Sequence, residues 1–134
     1  MDEDDVMDVE RLRRIELFGD LDHHDLSAVA RRVEEVVVAE GDLLIEEGAL
    51  PYELFVIEEG TADVEHDGEV LARLGSGDVV GEMAVIRQER RGASVRASSP
   101  VRALAIGVEE FREMSEEMPE IARQIRSTMK AREP

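Results

Sequence analysis

GDVVGEMAVIRQERRGASVR, residues 77–96, is the stretch whose reading decides the fold. Inside it Gly81-Glu82 opens a short apolar run, and nine residues after that acid stands Arg91, followed by Gly92-Ala93-Ser94. Three ingredients of an anion site lie close together. Glycine lets the backbone approach a ligand. A short helix beginning near Gly81 would aim free N–H groups and its positive dipole end at an oxyanion. Arg91 can clamp a phosphate with two parallel N–H groups. Glu82 is the odd member, because a carboxylate beside a bound anion is repulsive unless it has a partner of its own, and a sugar hydroxyl would be such a partner.

Charge placement singles out the same region. The 134 residues carry a net charge of −17, yet Arg73, Arg87, Arg90, Arg91, Arg96 and Arg102 face only Asp78, Glu82 and Glu89 between the first and last of those arginines. The plainer alternative is that these arginines pair with acids elsewhere in the fold, where surface pairs contribute little. The acidic total argues against nucleic acid as a direct partner, since phosphate-backbone binding needs a basic surface. An aromatic share of 3 % with no Trp leaves few platforms for stacking bases and requires an aliphatic core.

The length fits one domain with a substantial core. There is no Cys, and the histidines are His23, His24 and His66, two adjacent and one in an expected turn. No metal-ligand spacing results, and no metal, haem or other cofactor is called for. The start, MDEDDVMD, is acidic where a secretory signal needs positive charge, and no apolar run approaches membrane-spanning length. The expectation is a cytoplasmic protein with no membrane contact.

Residues 1–8 read as a disordered acidic lead and 9–134 as one domain: helices over 9–33, a β region over 34–107 and helices over 108–132. Val9, Leu12, Ile15 and Leu17 recur at helical spacing up to Phe18. Asp22 is placed to cap a second helix whose apolar face is Leu26, Val29, Ala30 and Val33. From Glu34 the pattern changes to short β-prone runs punctuated by Gly41, Gly48, Gly60, Gly68, Gly75 and Gly77, with Asp67-Gly68 a hairpin signal. Such spacing implies a sandwich, barrel or jelly roll. Ser98-Ser99-Pro100 is a turn in the last β run. Helix returns over Val108–Met114, and Pro119 starts a final helix with Met118, Ile121, Ile125 and Met129 on one side, a stripe suited to packing or to a homodimer seam.

With these residues in view, the chain resembles the cyclic nucleotide-binding domain. That family's phosphate-binding cassette reads roughly G-E-[LIM]-A-[LV]-[LIM], a few variable residues, then R-x-A-[ST]-V, against GEMAVI, RQER and RGASV here. Gly41, Ile45, Gly48, Phe55, Ile57 and Gly60 match its strand framework, and Leu17-Phe18 with Leu21 resembles its lead-in elbow, so the likeness covers about residues 10–132. It implies a mainly β fold: an eight-stranded antiparallel jelly roll with an N-terminal helix pair, a short cassette helix and C-terminal helices. It implies that Glu82 accepts from the ribose 2′-hydroxyl and that Arg91 pairs with the cyclic phosphate. Ser94, or the backbone N–H groups of Ala84, Gly92 and Ala93, would complete the cradle, and Gly81, Met83 and Ala84 would form the short helix beneath the sugar. A C-terminal helix often closes over the purine in the family, and Ile121 and Ile125 are the candidates by position.

Three departures bear on the ligand. Val80 stands where the family often has an aromatic, and Arg90 where it often has Pro. Gly92 follows the arginine where Thr is associated with cyclic GMP, so the resemblance favours cyclic AMP. The leading expectation is a sensor that binds cyclic AMP and reports it through its flanking helices to a protein partner. The competing one is a roll without ligand, serving as an interaction or dimerisation module. An enzyme is disfavoured because the jelly-roll metal site of His and Glu cannot be assembled. A DNA-binding regulator is disfavoured because no helix-turn-helix fits after the last helix.

Overall fold

The computed structural model describes residues 8–81 and 87–132. Within them lie α1 (Val9–Arg13), a 3₁₀ turn (Glu16–Phe18), α2 (His23–Ala30), β1 (Val33–Val38), β2 (Leu43–Ile45), β3 (Glu53–Glu59), β4 (Ala62–His66), β5 (Glu69–Leu74), β6 (Val79–Val80), β7 (Ser94–Ala97), β8 (Val101–Gly107), α3 (Val108–Glu117) and α4 (Pro119–Arg132). The acidic lead, apart from Asp8, lies outside the described residues.

The strands pair in nested fashion. β4 meets β5 across the Asp67-Gly68 turn, and both turn residues have positive φ, 52° and 79°, the geometry that gives a two-residue hairpin the twist of its strands. Outward from that hairpin, β3 pairs with β6, β2 with β7 and β1 with β8, all antiparallel. Two four-stranded sheets result, ordered β1-β8-β3-β6 and β2-β7-β4-β5. This is the expected jelly roll, a mainly β fold with flanking helices.

The central strands of the first sheet are buried on both faces, which is why they read as unbroken apolar runs. Phe55 and Ile57 of β3, with Ala103 and Ala105 of β8, enter the core between the sheets beside Ile45, Val80 and Val95. Leu54 and Val56, with Leu104 and Ile106, form the other face and pack on Leu12, Ile15, Phe18, Leu26, Met114, Ile121 and Ile125. The helices therefore form one layer on the outside of one sheet.

Two expectations about the N-terminal helices are corrected. The helix over Val9–Phe18 is broken after Arg13, with Ile15 extended (φ −83°, ψ 123°) before the 3₁₀ turn. Leu12, Ile15 and Phe18 are all buried and recur every three residues, a period that fits three residues per turn better than 3.6. Val33 belongs to β1, opposite Ile106, and not to the second helix. Asp22 caps that helix as expected, its carboxylate accepting from the Asp25 N–H at 2.8 Å. Replacing it with Ala is expected to cost about 1 kcal/mol in urea unfolding, the usual loss for such a cap.

At the C-terminal end, α3 runs three residues beyond the expected Met114, and Pro119 is the first residue of α4. Met118, held at φ −135° and ψ 68°, is pushed out of the helical region by the proline ring that follows. Arg32 ties the helix pairs together, donating from Nε to Glu113 (3.0 Å) and from Nη2 to both carboxylate oxygens of Glu117.

Candidate functional site

Nested pairing decides where the cassette lies. The β2–β3 loop and the β6–β7 connection each cross from one sheet to the other, and they do so at the same end of the roll. They are stitched side by side: Gly48 N–H donates to the Arg91 carbonyl (2.8 Å) and Arg91 N–H to the Ala49 carbonyl (2.9 Å). A third bond links the Glu47 N–H to Ser94 Oγ at 3.0 Å.

Arg91 is the one buried charged residue among those described, at 7 % exposure. Its Nη1 donates to the Gly81 carbonyl at 2.8 Å and its Nη2 to the Glu53 carbonyl. Among the described residues no carboxylate makes an ion pair with it. Burial pulls its pKa down, and the charge of Glu53 nearby opposes that shift. Glu53 in turn is pushed up from the ordinary carboxylate value by burial, then by repulsion from Glu34, with Arg91 pulling it back. A guanidinium has five N–H donors, and these two carbonyls account for only two of them. A desolvated cation held by neutral oxygens is costly unless an anion completes its shell.

Gly81 is required where it stands. Its φ is +86°, and a Cβ there would sit 2.6 Å from Arg91 Nη1 and 3.0 Å from Ile45 Cδ1. The glycine thus leaves room for the guanidinium as well as supplying its carbonyl.

Of the site residues expected from sequence, Gly81, Arg91, Gly92, Ala93 and Ser94 are gathered at this end of the roll. Glu82, Met83 and Ala84 lie outside the described residues. Gly92 is exposed and Ala93 half-buried. Val95 and Ala97 point into the core, so strand alternation turns Ser94 to the opposite face, where its hydroxyl is engaged by Glu47. Ile121 and Ile125 are elsewhere, 1 % and 0 % exposed within the helix-side core. Met118 joins them there at 5 %, so these three members of the stripe pack inside the chain instead of offering a seam, and the Met129 side chain lies outside the described residues.

Five of the six arginines of the island are of two kinds. Arg73 pairs with Asp63, Arg96 with Glu65 and Arg102 with Glu35, as the plainer alternative holds. Arg90 and Arg91 bond instead to main-chain carbonyls, Arg90 to that of Gly48 at 3.0 Å and Arg91 to those of Gly81 and Glu53. Sequence reasoning missed Glu53, which contributes its carbonyl, and a backbone acceptor has no residue signature to find.

A two-sheet roll whose end loops bury an arginine among carbonyls belongs to the class of small-ligand β-rolls. The family model of the cyclic nucleotide-binding domain matches residues 35–118, and the chain belongs to that family. It is 31 % identical over 107 residues to the potassium/sodium hyperpolarization-activated cyclic nucleotide-gated channel 2 of Mus musculus, covering 80 % of this chain and 12 % of the channel. The chain thus spans about an eighth of the length of that relative. A putative cyclic nucleotide-binding protein from Geobacter metallireducens superposes with a TM-score of 0.77 at 25 % identity, over 93 % of this chain and 94 % of that one. The regulatory subunit of a cAMP-independent protein kinase A from Trypanosoma brucei has the same fold, with a TM-score of 0.80 at 21 % identity over 91 % of this chain and 44 % of that one. Among the described residues no helix is long and apolar enough to cross a membrane.

Proposed function

We propose that the chain is a cyclic AMP-binding sensor domain that passes the bound state to a protein partner through α3 and α4. The observation that carries this reading is Arg91, a buried cation bonded only to carbonyl oxygens among the described residues. The cyclic phosphate takes its remaining donors. Glu82 accepts from the ribose 2′-hydroxyl, Gly81 with Met83 and Ala84 lies beneath the sugar, and the N–H groups of Ala84, Gly92 and Ala93 complete the cradle. Ser94 holds the β2–β3 loop in place and acts on the ligand through it.

Reporting requires contacts that differ between free and bound states. Ile121 and Ile125 are packed in one core cluster with Phe18 and Met114. Exposing an isoleucine costs about 1.5–3 kcal/mol, so freeing both to cap a base would consume much of the roughly 8 kcal/mol that micromolar binding supplies. A shift of α3 and α4 as a packed unit is the less costly response, with either isoleucine reaching the base only at the end of that shift.

A thermal-shift screen with cyclic AMP, cyclic GMP and cyclic dinucleotides tests the reading. A ligand present at a hundred times its Kd stabilises the fold by about 2.7 kcal/mol, which raises the midpoint by several degrees. Cyclic AMP is expected to give the largest rise. No rise with any of them would leave the roll as an interaction module working without a ligand.

A further inference from the structure

His66 lies at the end of β4 where the roll opens, and its neighbours connect it to the anion site. In the β4–β7 register Glu65 faces Ser94, so His66 flanks Ala93, one residue further along. β7 lies between β2 and β4, and the chain leaving β2 brings Glu47 to the other side of the same segment. Glu47 and His66 meet across the start of β7: Glu47 Oε1 is 3.0 Å from His66 Nδ1. The other ring nitrogen, Nε2, is 3.3 Å from Asp67 Oδ2.

Two ring nitrogens near two carboxylates favour the protonated ring. A neutral imidazole has one N–H and one lone pair, so one of the two contacts would set a lone pair against a carboxylate oxygen. The imidazolium donates from Nδ1 to Glu47 and places its positive charge beside Asp67, so both carboxylates favour it. The Gly92 backbone carbonyl also favours the charged ring, and Glu69 stands opposite His66 in the β4–β5 register. Glu65, the neighbour on the other strand face, is paired with Arg96. The Glu47 hydrogen bond first, then the charges of Asp67 and Glu47, raise the affinity of His66 for its second proton above the ordinary histidine value, against a small opposing effect of burial.

We propose that protonated His66 is a positioning residue of the anion site, gripping Glu47 so that the 47–49 segment holds Arg91 through Ser94 in their ligand-ready arrangement. The link is short. Residues 47, 48 and 49 each bond to the Arg91–Ser94 segment, through Ser94 Oγ, the Arg91 carbonyl and the Arg91 N–H. A group whose pKa is raised in the folded chain gives its full contribution below its unfolded value, and that contribution is lost as pH rises through the folded value. Ligand affinity therefore falls from mildly acidic to mildly alkaline pH. Neither a cyclic phosphodiester nor adenine changes charge in that range, so the titration belongs to the protein. The inference rests on the reading of Arg91 as the phosphate ligand.

The test is cyclic AMP calorimetry from about pH 5.5 to 8, the range in which histidine changes charge, on the full chain, His66→Gln and Glu47→Gln. The wild-type Kd is expected to rise by about threefold to tenfold across the range, the scale of one proton linked to binding. His66→Gln should be flat at the weaker, high-pH value, and Glu47→Gln should lose most of the slope. A flat wild-type profile, or a slope retained in His66→Gln, overturns the proposal. If the wild type binds no cyclic AMP at any pH, the ligand reading fails, and the brace is judged on the free chain by NMR. The Gly92 and Ala93 amides should then exchange several-fold faster, after correction for intrinsic rates, once the His66 ring deprotonates. Exchange that does not follow the ring titration, or follows it equally in Glu47→Gln, would overturn the brace.

Discussion

Arg91→Ala is expected to weaken cyclic AMP binding at least about a hundredfold while leaving the chain folded. The size follows from charge-assisted, bidentate hydrogen bonding in a desolvated site, worth about 3 kcal/mol, where 1.4 kcal/mol is a factor of ten. Retention of the fold follows from opposing terms. The substitution strands the Gly81 and Glu53 carbonyls, but it also removes a buried cation that no described carboxylate neutralises. A net stability change within about 1 kcal/mol is therefore expected, of either sign. Arg91→Lys should recover part of the affinity, because an ammonium keeps the charge but cannot span two carbonyls and a phosphate in one plane. Calorimetry on the three proteins, with urea unfolding alongside, checks both parts. Unchanged affinity in Arg91→Ala would remove the phosphate role.

Gly60→Ala is expected to do the reverse, lowering stability by about 3 kcal/mol or more with little effect on the affinity of the folded fraction. Gly60 turns β3 into β4 at the end of the roll away from Arg91, with φ +94°. A Cβ there would lie 2.1 Å from the Pro100 carbonyl oxygen and 3.0 Å from the Val101 Cα. Both are backbone atoms and cannot rotate aside. The positive φ costs about 1–2 kcal/mol for a residue with a side chain, and forcing the β7–β8 turn away adds about 1–3 kcal/mol. That turn is also tied to the adjoining residue, Thr61 donating its N–H to Ser99 Oγ (2.9 Å) and receiving the Ser98 N–H at its carbonyl (2.9 Å). Urea unfolding is the measurement, and a loss below about 0.5 kcal/mol would show that the two turns can separate freely.

The contrast between these substitutions shows what a linear chain discloses. Gly60 and Asp67-Gly68 were legible as punctuation because the backbone itself demands positive φ there. Arg91 was legible through its spacing from Gly81-Glu82. The break after Arg13 was harder to read, since Leu12, Ile15 and Phe18 fit a loose helix as well as a helix followed by a 3₁₀ turn. Ile121 and Ile125 have the right period for a lid, and only the packed helices reveal that they are spent on Phe18 and Met114. The carbonyl of Glu53 and the grip of His66 on Glu47 depend on nested strand pairing. They join residues 38 and 19 positions apart, and no local pattern announces them.

The central claim is that Arg91 is held ready for the phosphate of a cyclic nucleotide. A crystal structure of the chain grown with cyclic AMP tests it most directly. The expected result is a cyclic phosphate oxygen within hydrogen-bonding distance of the Arg91 guanidinium, with the ribose 2′-hydroxyl on Glu82. An Arg91 still bonded only to the Gly81 and Glu53 carbonyls, with the nucleotide absent or seated elsewhere, would contradict it.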